Sequence, residues 1–279
     1  MQPPPLRHAP PVIVAGIPIA RLPVGSRRRG PTLVLGAIPQ ETDLVIWALK
    51  KPKAGRLAGF PYRRGRISRR DTVVAVTGIG KTNAAMLTTL FIAHFRPREV
   101  LMCGTASRIN PTVRNGDVII GAITCNHDMG SLGPAGRMEY FASEGPLGDH
   151  SPIVFPADSR LLAAAKRVAK RHALEFASHQ EPPYRPRVRV GRITSGDQFG
   201  LPPDRIRDIL RQLRPDLMEM ESGSVAEVCH YLRAPFLCVR SGSNQTQSSP
   251  DNDYRTLSPF AARQASLFAV AVVRELASA

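Results

Sequence analysis

Long apolar runs, cysteine pairs, aromatic rings and acidic residues are all scarce in this sequence of 279 residues. Its best apolar stretch, Val12-Ile13-Val14-Ala15-Gly16-Ile17-Pro18-Ile19-Ala20, is broken by Gly16 and Pro18, and nothing approaches the ~18 residues that a bilayer-spanning helix needs. Pro3, Pro4 and Pro5 precede that stretch, where a secretory signal would have a charged start and a compact apolar region. A soluble, cytoplasmic chain with no membrane partner is therefore expected. The four cysteines, Cys103, Cys125, Cys229 and Cys238, include no CxxC pair, which argues against a disulfide framework or a metal site and for reduced core residues. Acids number 22 against 38 lysines and arginines, for a formal net charge of +16. Only six of those basic residues are lysine, an arginine bias that reflects composition as readily as a binding surface. The clusters Arg27-Arg28-Arg29 and Arg63, Arg64, Arg66, Arg69 and Arg70 lack interleaved aromatics. A nucleic-acid partner is accordingly not expected, although charge of this size invites nonspecific polyanion contact.

The chain does have the makings of a large core: 43% of its residues are hydrophobic. Residues 1 to about 30 are rich in Pro and Arg and predict a mobile arm. Beyond them, apolar strands alternate with helices. Strands are predicted at Thr32–Ala37, Thr72–Thr77, 99–103, Asp117–Cys125, 188–195 and 235–241. Helices are predicted at 41–50, Thr82–Phe95, Ser159–Leu174 with Ser159 as the cap, 222–232 and 259–277. Long loops are predicted over Met129–Ser159 and Glu181–Pro186. Continuous apolar strands between helices imply a single α/β domain over 31–279, with a mostly parallel, mixed, twisted sheet covered on both faces.

Five ordered segments carry a resemblance: Gly36-Ala37-Ile38-Pro39-Gln40-Glu41; Thr77-Gly78-Ile79-Gly80-Lys81-Thr82-Asn83-Ala84-Ala85; Cys103-Gly104-Thr105-Ala106; Ser195-Gly196-Asp197-Gln198-Phe199; and Met218-Glu219-Met220-Glu221. His127-Asp128 and Arg240-Ser241-Gly242-Ser243-Asn244 fall at matching places. Together they resemble the methylthioadenosine and adenosylhomocysteine nucleosidases of the nucleoside phosphorylase superfamily, over about residues 32 to 277. The resemblance implies hydrolysis of the ribose–purine bond, a purine nucleoside or free purine as ligand, a homodimer, and no cofactor or metal.

Cleaving that bond passes through a cationic sugar with a departing purine, so a site must hold the sugar, neutralise the base and present a nucleophile. The resemblance gives Glu41 the task of activating water. Glu221 would accept hydrogen bonds from vicinal ribose hydroxyls, which suits a group that only accepts, with Met220 against the sugar. Phe199 would stack on the base and the Gly200 backbone would read its edge. Thr105, Ala106 and Ser243 complete the expected pocket, and His127-Asp128 has no assigned role.

Two departures stand out. Asn244 occupies the place of the family's proton-donating aspartate, and an amide cannot act as a general acid. Its NH2 suits the O6 of a 6-oxopurine better than the amino group of adenine. Ser107-Arg108 replaces two glycines, and Arg108 could serve phosphate or an acidic 5′ substituent. The arginine by which the hexameric phosphorylases hold phosphate is replaced by Met102, which favours water. A phosphate-dependent purine nucleoside phosphorylase and a non-catalytic nucleoside-binding protein remain alternatives.

Overall fold

The computed structural model describes residues 13–14, 17–18, 30–133, 137–140, 143–144, 150–151, 153–175, 177–178, 182–245 and 250–278. Most of the expected arm over 1–30, parts of the 129–159 loop and the start of the loop at 181 lie outside those residues.

Ten strands join in one sheet. They are β1 (Thr32–Gly36), β2 (Lys50–Leu57), β3 (Phe60–Ile67), β4 (Arg70–Val76), β5 (Glu99–Arg108), β6 (Val118–Asn126), β7 (Val154–Pro156), β8 (Val188–Ser195), β9 (Leu217–Glu219) and β10 (Phe236–Gln245). Six helices pack around it: α1 (Pro39–Trp47), α2 (Lys81–Phe95), α3 (Ser159–Ala169), α4 (Pro203–Leu213), α5 (Ser222–Tyr231) and α6 (Pro250–Ser278). Three two-residue ladders, such as Ile13–Val14 with Ile17–Pro18, stand apart from the sheet.

The strand order is β7-β6-β8-β9-β5-β1-β4-β3-β2, and β10 pairs with both β5 and β6. The sheet therefore curls until β6, β8, β9, β5 and β10 form a closed ring, and β1, β4, β3 and β2 continue from β5 as an open wing. Five pairings are parallel and five antiparallel. The expected mixed α/β sheet flanked by helices is present. The antiparallel share comes largely from the β2–β3 hairpin and from β10, which closes the ring against β6.

Two apolar clusters cover the two faces. Leu33, Leu35, Val73, Met102 and Ile119 meet α2 and α5 through Leu87, Phe91, Val225 and Cys229. Val34, Val74, Leu101, Ile120 and Val239 meet α1, α3 and α6 through Val45, Leu161, Val168, Phe268, Val272 and Val273. This explains the continuous apolar strands, since alternate residues of one strand feed different cores. All four cysteines are buried and form no disulfide, as the sequence implied.

Four features differ from the sequence reading. The α3 cap is Asp158, whose side chain accepts from the Leu161 N–H at 3.0 Å, so Ser159 is the first helical residue. The last helix runs on through Pro259 and begins at Pro250, not near 259. Its stretch Tyr254–Ser278 is long and apolar enough by length and composition to cross a bilayer, and most of it is buried among the other elements; the expectation that no segment approached that length is corrected. The β2–β3 hairpin, α4 and β9 were not predicted. The hairpin is the chain's most basic part: residues 50–70 contain nine lysines and arginines and no acid.

Candidate active site

The pairing of β5 changes partway along its length. Its first half pairs with β1 up to Leu35↔Met102, whereas Ser107 and Arg108 pair with β9 on the same edge. Between the end of β1 and the end of β9 the β5 backbone is uncovered, a break of the kind where α/β sheets hold ligands. A cavity of about 360 Å³ opens there. Its walls come from Ala37, Ile38 and Glu41 after β1, Thr105–Ser107 of β5, Met218–Glu221 around β9, and Ser243–Asn244 of β10. Ile79, Gln198, Phe199, Gly200 and Tyr254 complete it.

Glu41 lies in the first turn of α1 and is 2% exposed. Its Oε1 accepts from the Thr105 N–H at 2.7 Å and the Thr105 hydroxyl at 3.0 Å, and its Oε2 accepts from the Ala37 N–H at 2.7 Å. A carboxylate oxygen has two lone-pair sites, so Oε1 is filled by Thr105 while Oε2 keeps one. The carboxylate is thus fixed in direction and still able to take a proton from a water.

Behind it lies Arg240, fully buried in β10. Its guanidinium is 3.6 Å from Glu41 and 3.2 Å from Glu221, and is ion-paired with Glu219. Gly104 makes this packing possible, because a Cβ there would collide with both the Arg240 Nη1 and the Glu41 carboxyl. Glu219 anchors the group, accepting from the backbone N–H groups of Glu221 and Ser222 and from the hydroxyls of Ser195 and Ser222. Burial alone would raise its pKa, but Arg240 and these donors outweigh burial and hold it down. Glu221 is different. Burial first, then the neighbouring Glu219, push its carboxyl up to about 8. Its Oε1 accepts from the Gly80 N–H at 3.0 Å. Gly80 has φ +93°, open to glycine at little cost, and this turn aims its N–H at the carboxyl.

Asn244 is 2% exposed. Its Oδ1 accepts from the hydroxyls of Ser107 at 3.2 Å and Ser243 at 3.0 Å. Both acceptor sites are therefore occupied, and the NH2, which donates to the Gln245 carbonyl at 3.5 Å, keeps one hydrogen for the cavity. Phe199 is 47% exposed and packs edge-on to Tyr254 at 5.9 Å, forming a half-open aromatic wall.

Of the expected residues, Glu41, Thr105, Ala106, Phe199, Gly200, Met220, Glu221, Ser243 and Asn244 converge on this cavity. Arg108 does not. It packs along Gly242, and its Nε donates to the Ser243 carbonyl at 2.9 Å, so its charge is spent on the β10 backbone. Asp128 links Lys81 at 2.5 Å to the Asp197 N–H at 2.9 Å, tying three loops together outside the cavity. His127 is buried beside Gly196, and burial lowers its pKa to about 4. Arg240 and Glu219 were quoted within motifs and given no role; Tyr254 was missed altogether.

A family model described as the phosphorylase superfamily matches residues 31–278. The chain belongs to that superfamily. Within it, a 5′-methylthioadenosine/S-adenosylhomocysteine nucleosidase of Tolumonas auensis is 29% identical over 245 residues, 87% of this chain and 98% of its own. The Marinomonas sp. nucleosidase of the same name is 30% identical, covering 84% and 94%. Among solved structures, the Neisseria meningitidis nucleosidase in complex with methylthio-immucillin-A superposes with a TM-score of 0.73 at 28% identity, covering 87% of this chain and 98% of that one.

Proposed function

We propose that this member of the superfamily hydrolyses the N-glycosidic bond of a purine nucleoside, with water activated by Glu41. The purine lies against Phe199 and the Gly200 backbone, near Asn244, and the ribose hydroxyls meet Glu221. Water attacks the anomeric carbon while the carbon–nitrogen bond breaks and its electron pair leaves with the base. The proton lost by water goes to Glu41 Oε2 and from there to solvent, and the departing base takes up one proton from solvent water, giving free sugar and free purine. Asn244 does not supply that proton; its amide hydrogen-bonds the base as charge develops.

The observation that carries this reading is the charge of the walls. The cavity is lined by the carboxyls of Glu41 and Glu219, by Glu221, which keeps its proton below about pH 8, and among the described residues by no lysine, arginine or histidine. Arg240, the nearest cation, is already shared among those three carboxyls. Water is at home there, and a phosphate dianion would be repelled. Exposed Ile79 and Phe199 at the mouth, with Met86 on α2, further support association of two copies.

The test incubates purine nucleosides with and without phosphate and separates the products. At saturating nucleoside, release of free ribose at a rate independent of phosphate is expected; ribose 1-phosphate would establish the phosphorylase instead. Glu41→Gln should cut turnover by roughly two to four orders of magnitude, the usual worth of a positioned base, while free purine still binds. Binding without turnover in the parent protein would mark a non-catalytic member.

A further inference from the structure

A second cavity, of about 480 Å³, shares no lining residue with the first. It lies between the loop entering β6 and the segment entering β8, and four arginines line it: Arg114, Arg185, Arg187 and Arg189. Only one carboxylate, Asp117, faces them among the described residues, and each of its oxygens already accepts from a backbone N–H. They take the Arg114 N–H at 2.9 Å and the Arg187 N–H at 2.7 Å, and Arg189 lies 3.5 Å away.

These arginines are held in place. Arg189 donates to the Thr112 carbonyl at 3.0 Å and hydroxyl at 3.2 Å, which leaves its buried Nε without a partner. The Arg114 guanidinium sits 3.5 Å from the centre of the Tyr184 ring, and the Tyr184 hydroxyl donates to the Asn115 carbonyl. Arg185 reaches the Leu174 carbonyl at 3.3 Å. The side chain of the exposed Arg187 has no hydrogen-bond or ion-pair partner among the described residues. Guanidinium groups do not shed their charge in proteins. Four of them around one committed carboxylate leave a fixed excess of positive charge, and their planar forks match the oxygens of a phosphate.

The same loop grips the strand that carries Asn244. The Asp117 carbonyl accepts from the Gly242 N–H at 2.9 Å, and the Gly116 N–H donates to the Gly242 carbonyl at 2.8 Å. The Asn115 side chain donates to the Gly242 carbonyl at 3.0 Å and lies 3.4 Å from that of Ser243. Ser243 and Asn244 line the nucleoside cavity. Whatever steadies residues 114–117 therefore steadies the floor of the first site.

We propose that this arginine cavity binds a phosphate dianion, free or as the end group of a small ester, and that its occupancy tightens nucleoside binding through the 115–117 grip on β10. The anion is bound and not consumed. The kinetic half of this inference rests on the nucleosidase reading; the binding half does not.

Calorimetry on the full chain, in buffer free of phosphate, tests the binding half with inorganic phosphate and with glycerol 3-phosphate, which distinguish a free from an esterified group. Saturable one-to-one binding is expected, and it should persist when the nucleoside cavity is saturated with free purine. Arg187→Glu should weaken it roughly tenfold or more, by removing one charge-assisted contact and adding repulsion, with the melting temperature of the unliganded protein unchanged. Arg185→Glu, at another exposed position, provides a second variant should the first fold poorly. In the parent, phosphate should lower KM for the nucleoside, and in Arg187→Glu it should not. No saturable binding, or binding indifferent to both substitutions, overturns the site. Binding abolished by free purine would place phosphate in the nucleoside cavity and revive phosphorolysis. Binding with no change in KM overturns the coupling.

Discussion

Asn244 is the residue on which the choice of base turns. The hydroxyls of Ser107 and Ser243 fix its oxygen and the Gln245 carbonyl takes one N–H at 3.5 Å, so the other N–H is left to pair with an acceptor such as O6. Against the amino group of adenine two donors would meet, and an unpaired buried donor costs about 1–3 kcal/mol, or roughly ten- to a hundredfold in discrimination. Comparing kcat/KM for inosine, guanosine and adenosine derivatives, 5′-methylthio forms included, should show a preference for 6-oxopurines. Asn244→Asp should move that preference toward adenine; a parent that already prefers adenine would sink the argument. Glu221 makes a prediction about pH. Its folded pKa of about 8 stands above the ordinary 4.5. The folded chain therefore holds a proton that the unfolded chain has released, and stability falls as pH rises through that window. His127, lowered from 6.5 to about 4, acts in the opposite sense at lower pH and drops out above its ordinary value. Between about pH 6.5 and 8 the decline should thus belong to Glu221, and Glu221→Gln should flatten it in a series of melting curves.

At the level of elements, the β2–β3 hairpin is fastened to the body by Tyr62. Its ring meets Phe91 at 5.9 Å and Phe95 at 5.1 Å, edge to face in both cases. Tyr62→Ala should cost roughly 2–3 kcal/mol for the lost aromatic burial and contacts, read as a shift in denaturant midpoint, with kcat unchanged because the hairpin does not line the cavity. This element was also the least legible in the sequence. Strands such as Thr32–Gly36 announce themselves because both faces are covered and every residue is apolar or β-branched. In the hairpin, Lys, Arg, Gly and Pro fill most positions and the half-buried face shows only at Leu57, Phe60, Tyr62 and Ile67, so the apolar alternation is too short to announce a strand. α4 did carry a signal in Ile206, Ile209 and Leu213 at helical spacing, behind the proline pair Pro202-Pro203. β9 is three residues long and is held by its neighbours. In the site, the carboxylates and Asn244 were readable because motif and chemistry agreed. Arg240 was not, because arginine usually lies at the surface and only three converging glutamates make it a core residue. Arg108 was misplaced for the converse reason: nothing in the sequence revealed that the Ser243 carbonyl would claim it.

Across the whole molecule the net charge of +16 is unevenly spread: residues 50 to 70 hold nine cations and no acid, and of the nine Arg64 and Arg70 pair with Asp71 and Glu99. That ribbon includes β2, the free edge of the open wing. A free edge exposes backbone donors and acceptors that another chain could pair with, and proteins blunt such edges with lysine, proline and bulges. β2 has all three: Lys50, Lys51 and Lys53, Pro52 among them, and a register shift between Lys50 and Lys53. The ribbon is thus a fence as well as a flap, repelling a second ribbon before its backbone comes within reach. Salt should lower the fence. At about 1 M ionic strength the screening length shrinks to roughly 3 Å, and light scattering should then detect self-association that is absent in dilute buffer. A chain with Lys50, Lys51, Lys53, Arg63 and Arg66 changed to Gln should associate without added salt, through the one edge that its charges had kept unpaired.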